Sequence, residues 1–302
     1  MTSVGTAVDG ASTAHRSVAE VEAGLRHERV LAVLRGLARS LFYLLITLVI
    51  VVAAWQAVVS HSGLSSYVAK GPKDVWNFLF VTEPDARFTA AEHRAELFPL
   101  LWQTLRDATL GFVVGLTIAS LLAMAFTVSK AVEAGVMPLA LLLRSVPLVV
   151  LAPVIMLITG RGTQMSVAVI GTIVVLFPAL ASIMFGLSRA SPQSLDLVHV
   201  YGGGNVTALR KVAVPGALPS FFAAARVSVP GAVTGALLAE WLSTGKGIGG
   251  SIDKYRAAAQ FDKLWASVAL ITVATLLIYN VVQAIETSLL ARMGLGEGDD
   301  TP

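Results

Sequence analysis

The chain has 302 residues, 55% of them hydrophobic and only 14% charged, and its mean hydropathy of +0.75 lies above that of ordinary soluble domains. Its formal charge of +3 comes from basic residues at the ends of apolar runs rather than from a continuous stripe, which argues against a nucleic-acid partner. The absence of cysteine excludes disulfides, thiolate metal sites and thiol nucleophiles.

Aromatic residues are only 7%, so the apolar excess is Ala, Val, Leu, Ile and Gly, a composition suited to closely packed membrane helices. Residues 1–14 are small and polar with no apolar core, and read as a disordered tail rather than a cleavable signal. Over 15–40, Val18, Val21, Leu25, Leu31, Leu34 and Leu37 recur at helical spacing among Arg26, Arg29, Arg35 and Arg39. That pattern predicts an amphipathic helix on the cytoplasmic membrane surface.

The first span is expected at 41–59, a retained anchor preceded by Arg35 and Arg39. Residues 61–96 follow as a mixed-charge segment with Pro72 and Pro84, expected in water outside the membrane. Five more spans are expected at 105–128, 147–159, 165–187, 221–242 and 264–290, making a six-span helical bundle. The third is short, and 132–146 before it reads as an interfacial helix, because Pro138, Pro147 and Pro153 interrupt helical hydrogen bonding.

The basic residues before the first span place the N-terminus in the cytoplasm. Alternation then puts the loops with Lys130 and Arg144, the loop with Arg189, Arg210 and Lys211, and the tail 293–302 inside, with 61–96 and 243–263 outside.

One inside segment, 191–219, is too long for a turn and too apolar for a solvated linker. Leu195, Val198 and Tyr201, then Val206, Leu209, Val212 and Val214, form the apolar sides of two short helices, with glycines 202–204 as the break. A helix–Gly–helix of this kind at the cytoplasmic surface suits docking into another protein's groove. An ordinary interfacial hairpin is the alternative.

Elsewhere the residues leave more than one role open. Glu240, near the outer end of the fifth span, either gates or binds a solute, or pairs with a base and holds the helix end. Arg144 is a gate residue or snorkels to lipid phosphate. Gln103, Arg106 and Asp107 read as an interface end of the second span rather than a pore lining. Gly245-Lys-Gly-Ile-Gly-Gly250 satisfies G-x-G-x-x-G but follows a span and no strand, so a re-entrant turn is expected and not a dinucleotide site. The five histidines share no metal-like spacing, although His93 and Glu96 fall on one helical face.

Asp196-Leu-Val, then Tyr201-Gly-Gly, then Leu209-Arg-Lys-Val-Ala-Val-Pro-Gly-Ala-Leu-Pro219 resembles the "EAA" loop of bacterial ABC-importer permeases, with Asp196 where that family has Glu and Gly203 where it has Ala. Arg144-Ser-Val-Pro147 with Ala152-Pro153, and Ala239-Glu240 with Gly247-Ile-Gly249, are similar to segments of the permeases for sulfonate, taurine, nitrate and related small solutes.

The resemblance covers about 98–292 and implies an all-α type I permease fold with about six spans in the bacterial inner membrane. It assigns ATPase coupling to Asp196, His199, Tyr201, Gly202, Gly203, Leu209 and Pro215, and a translocation path or gate to Arg144, Ser145, Pro147 and Glu240. The partners implied are two cytoplasmic ATPase subunits carrying ATP and magnesium, a second permease subunit of the same or a related chain, and an external solute-binding protein. Membrane lipid surrounds the assembly.

The chain has no G-x-x-x-x-G-K-[ST] stretch, so no ATP site and no cofactor are expected within it. An ion-gradient carrier or channel is the competing reading. Such carriers place ionisable groups in mid-span and often carry inverted repeats, whereas here the span centres are almost free of charge and no repeat relates 41–160 to 165–290.

Overall fold

The computed structural model describes residues 18–293 except 83, 85 and 86. The expected tail 1–14, and all of the expected tail 293–302 but Met293, therefore lie outside the described residues. Among the described residues every regular element is helical. The helices are α1 (Val18–His61), α2 (Pro72–Phe80), α3 (Ala90–Val128), α4 (Lys130–Ser145), α5 (Leu148–Thr159) and α6 (Gln164–Ser188). After them come α7 (Pro192–Val200), α8 (Asn205–Ala208), α9 (Val214–Ala239), α10 (Gly247–Ala257) and α11 (Phe261–Arg292). Two π-helical turns, Leu209–Ala213 and Glu240–Thr244, flank α9, so helix runs on from Asn205–Thr244.

Among the described residues five helical segments are long and apolar enough to cross a bilayer, and α5 is a shorter apolar helix. At ~1.5 Å per residue the 12 residues of α5 reach about 18 Å, short of a hydrocarbon core of about 30 Å. Amphipathic α4 and apolar α5, bent against each other at Val146-Pro147, together return the chain from the end of α3 to the start of α6.

The core is formed by α3, α6 and α9, which pack on one another more extensively than any other elements. The interior is built largely from alanines, among them Ala119, Ala123, Ala179, Ala232 and Ala236, with Phe126 and Val175 as the larger fillers. Small side chains allow backbones to approach where no hydrophobic force favours helix contact over lipid contact. The tightest point is a glycine crossing. A Cβ on Gly111 would come within 2.8 Å of the Gly171 Cα, and one on Gly235 within 3.0 Å of the same atom.

Contacts along the bundle give the helix directions. Thr104 and Gly111 of α3 meet Glu240 and Gly171, while Gly186 near the end of α6 meets Ala217 and Ser220 near the start of α9. Helices α3 and α6 therefore run parallel, and α9 runs against both. Hydroxyls inside the spans bond to the preceding turn, as in Thr127 to Ala123 O and Thr234 to Pro230 O at 2.8 and 2.9 Å. Such bonds let a polar side chain sit in an apolar bundle.

Helix starts follow their local chemistry. Thr89 Oγ1 accepts from Glu92 N–H while Glu92 Oε2 accepts from Thr89 N–H at 2.7 Å, a reciprocal capping box. Thr163 caps α6 through Ser166 N–H at 3.2 Å, and Ser129 caps α4 through Val132 N–H.

Three features differ from the sequence expectations. The interfacial helix 15–40 and the first span 41–59 are not separated: α1 is one helix from Val18 to His61, and no proline interrupts it. The segment 61–96 is largely folded onto the bundle. Its helix α2 packs Val75 and Leu79 against Leu97, Tyr255 and Ala266.

Trp55 and Trp265 stack at 5.7 Å, and their indole N–H groups donate to Lys70 O and Val68 O. Lys70 pairs with Asp262 at 3.0 Å, and Lys263 pairs with Glu96 at 2.7 Å. Finally, the second short helix expected after the glycines is not free-standing, because α8 continues through the π-turn into α9 and carries Leu209 with it. Within the core, Arg226 of α9 pairs with Glu286 of α11 at 3.4 Å, tying the last span to the bundle.

Candidate functional site

Two sites lie at opposite ends of the α3–α6–α9 core. At the end where α6 stops, Pro192 opens α7 at its first turn, where its missing N–H is harmless. The helix closes in a Schellman turn: Gly202 N–H donates to His199 O at 2.9 Å and Gly203 N–H to Val198 O at 2.8 Å. Gly202 sits at φ +79°, where a side chain is strained. A Cβ on Gly203 would meet Val198 Cγ1 at 2.6 Å. Gly204 then caps α8, its carbonyl accepting from Ala208 N–H at 3.0 Å.

This geometry leaves an apolar surface uncovered, with Leu197 57%, Val200 83% and Tyr201 84% exposed. Asp196 and His199 are exposed on the same short helix. Leu209 lies in the π-turn, half-buried, and Pro215 is exposed in the first turn of α9. The turn brings Asp196, His199, Tyr201, Gly202 and Gly203 into one protrusion. Leu209 and Pro215 belong to the helix that leaves it.

At the other end stands Glu240, 0% exposed, in the π-turn that ends the fifth span. Its Oε2 accepts from Thr104 Oγ1 at 2.8 Å and from Gly249 N–H at 2.9 Å. Thr104 Oγ1 in turn accepts from Ile248 N–H at 2.9 Å. The carboxyl group lies directly over Gly247, at φ +62°, where any Cβ would overlap it. Gly245, also at φ +62°, caps the π-turn, and Lys254 donates to its carbonyl at 2.7 Å.

The Gly-rich segment is thus a tight turn folded back on α3 and α9. Among the described residues Glu240 has no cationic partner, so the helix end is held by a hydroxyl and an amide rather than by the base that the sequence suggested.

Beside this latch, three stretches of chain surround a cavity of about 240 Å³, lined by Gln103, Arg106 and Asp107 of α3, Gly162 just before α6, Gln164 and Val167 of α6, and Thr244 and Lys246. Asp107 is 2% exposed and accepts from Gln103 Nε2 at 3.1 Å. Ser243 joins the walls, bonding Ser166 Oγ at 2.8 Å and Gly162 N–H at 3.1 Å. Gln103, Arg106 and Asp107, expected to be an interface end, are therefore cavity residues. Their i, i+3, i+4 spacing, one helical face, was the signal available in the sequence.

The remaining gate candidates lie apart from this latch. Arg144 is exposed in the last turn of α4. Ser145 Oγ donates to Leu142 O at 2.7 Å, and Pro147 precedes α5. None of the three is a hydrogen-bond partner of Glu240.

His93 stacks on Phe78 at 4.0 Å, whereas Glu96 takes bonds from Lys263 and from Tyr255 Oη. Burial, with the Glu96 carboxylate second, pushes the Tyr255 phenol above its usual range, so it remains a donor. No group of three or more potential metal-ligating side chains occurs among the described residues.

Comparison with known proteins places these features in context. A family profile described as "Binding-protein-dependent transport system inner membrane component" matches residues 111–294. The chain is 28% identical over 230 residues to a "Probable ABC transporter permease protein" of Haemophilus influenzae, covering 74% of this chain and 87% of the relative. It is 28% identical over 195 residues to the "Formylaminopyrimidine transport permease protein ThiX" of Halalkalibacterium halodurans, covering 64% and 77%. It is 26% identical over 249 residues to the "Riboflavin transport system permease protein RibX" of Chloroflexus aurantiacus, covering 81% and 88%.

Proposed function

The chain belongs to the family of binding-protein-dependent transport system inner-membrane components, a multi-pass membrane permease, and from that membership we propose how it is coupled, oriented and supplied. Two cytoplasmic ATPase subunits, carrying ATP and magnesium, dock on the α7 turn. A second permease subunit, a copy or a relative, completes the path. An external binding protein delivers a small solute of the sulfonate, taurine or nitrate kind, or a vitamin precursor.

Both termini face the cytoplasm of a bacterial cell. Asp196, His199, Tyr201, Gly202, Gly203, Leu209 and Pro215 form the coupling element, and Arg144, Ser145, Pro147 and Glu240 belong to the path or its gate. An ion-gradient carrier is the weaker reading, because the family is a binding-protein-dependent one.

The observation that carries the coupling role is the exposure of Leu197, Val200 and Tyr201 on a rigidly terminated helix. Apolar and aromatic side chains presented on a short helix suit insertion into a groove of a partner. Because α8 and α9 form one helix as far as Thr244, a displacement of the turn reaches the Glu240 latch as rigid-body movement.

The test uses the complex expressed with its ATPase. Val200→Glu and Tyr201→Ala alter only exposed positions, so the permease still folds, and each is expected to reduce ATPase retention on purification by roughly tenfold or more. Unchanged retention for both would sink the assignment of the turn.

A further inference from the structure

The cavity at the Glu240 end carries two cations against a single anion in its lining. Several basic groups outside the cavity lining are engaged: Lys70 with Asp262, Lys263 with Glu96 and Arg256 with Asp253 in ion pairs, Lys254 on Gly245 O, and Arg94 on Leu79 O. Arg106 and Lys246 line the cavity from α3 and from the turn before α10, and their side chains have no ion-pair or hydrogen-bond partner among the described residues. Both are exposed at its mouth, with Gln164 beside them, while Asp107 and Val167 are buried in its wall.

The one acid of the lining does not cancel them. Asp107 is on the buried side and already accepts from Gln103 Nε2, so the charged lining, two cations and one anion, sums to +1. The two cations come from different segments, and a guanidinium offers the planar fork that matches an oxyanion.

We propose that this cavity is a binding site for a small solute carrying one oxyanion group, a sulfonate or carboxylate. Arg106 and Lys246 hold that group, and Gln103, Gln164 and Thr244 bond the rest of the molecule. The proposal rests on the reading of the chain as a permease and narrows its cargo to anions. The cavity lies at the end of the core opposite the α7 turn, where a delivered solute enters. Its approach is tied to the state of the helices, because the Lys246 segment is fastened to α3 through Glu240, Thr104 and the amides of Ile248 and Gly249. A lipid headgroup phosphate has the same oxyanion chemistry, and the experiment separates the two sources.

The full permease, purified with its ATPase in a neutral detergent, is titrated with sodium methanesulfonate at constant ionic strength, and binding is read by saturation-transfer NMR of the ligand methyl group. Saturable binding is expected, with dimethyl sulfone, the uncharged analogue of the same shape, binding at least ~10-fold more weakly. Arg106→Gln and Lys246→Gln should each raise the half-saturation concentration roughly tenfold, whereas Arg256→Gln, which removes the same charge outside the cavity, should not. Equal binding of the sulfone, or unchanged binding in both cavity variants, overturns the proposal. So does displacement of methanesulfonate by phosphatidylglycerol but not by phosphatidylcholine, which would make the site a lipid site. Retention of the ATPase by the wild-type chain is scored in the same preparation, so a failure of the anion site leaves the permease reading standing, and loss of the ATPase is seen separately.

Discussion

Glu240 is the residue at which local chemistry and architecture meet. A fully buried carboxylate is costly unless its oxygens are bonded, and here one oxygen collects the Thr104 hydroxyl and the Gly249 amide. Glu240→Ala strips both donors of their acceptor and opens a void under Gly247, at a cost of about 2–4 kcal/mol. Glu240→Gln keeps an acceptor oxygen in place and is expected to restore most of that loss. Thermal unfolding in detergent measures both; an alanine variant as stable as wild type would show that the latch does not hold the turn. The sequence marked Glu240 as an ionisable group at a span end. It offered no sign of Thr104, 136 positions away, since a threonine inside an apolar run looks like any other span hydroxyl.

At the scale of helices, the same chain pattern was legible in some places and silent in others. The spans of α6, α9 and α11 stand out by apolar length alone, and the glycines 202–204 announce the α7 turn, because a Schellman ending needs a residue at positive φ followed by one without a side chain against Val198. The continuation of α8 into α9 was not legible, since a proline ordinarily interrupts a helix, whereas Pro215 stands in the first turn of α9 and Pro219 is accommodated inside it. Nor was the crossing of α3, α6 and α9 at Gly111, Gly171 and Gly235, because spacing within one helix does not name the partner glycine on another. Gly171→Ile, which drives a branched side chain into the Gly111 and Gly235 backbones, is expected to cost about 3 kcal/mol or more and to lower expression. Gly135→Ala, in α4 with no atom within 4 Å of the added carbon, should instead stabilise by ~0.5–1 kcal/mol. Paired melting curves decide; a harmless isoleucine at 171 would mean the three helices do not meet there.

For the whole molecule the decisive question is orientation, and the absence of cysteine makes it accessible without removing any background thiol. Ser62→Cys, beyond the end of α1, and Ser191→Cys, just before α7, both replace exposed residues. A membrane-impermeant maleimide should label Ser62→Cys in intact cells and Ser191→Cys only after permeabilisation. The reverse pattern would invert the topology and with it the side from which the α7 turn can meet an ATPase.

Composition and apolar length determined by themselves that the chain is a helical membrane protein, because burying uncharged runs of this length has few solutions in a bilayer. The glycine triplet with its flanking apolar residues placed the protruding turn, since backbone geometry at those positions is local. What only the tertiary structure decided is the partnering of Glu240, the glycine crossing at the centre of the core and the cavity with two unpaired cations. Each of these joins residues from helices far apart in the chain, and the order of residues along one helix carries no record of which neighbour it will face.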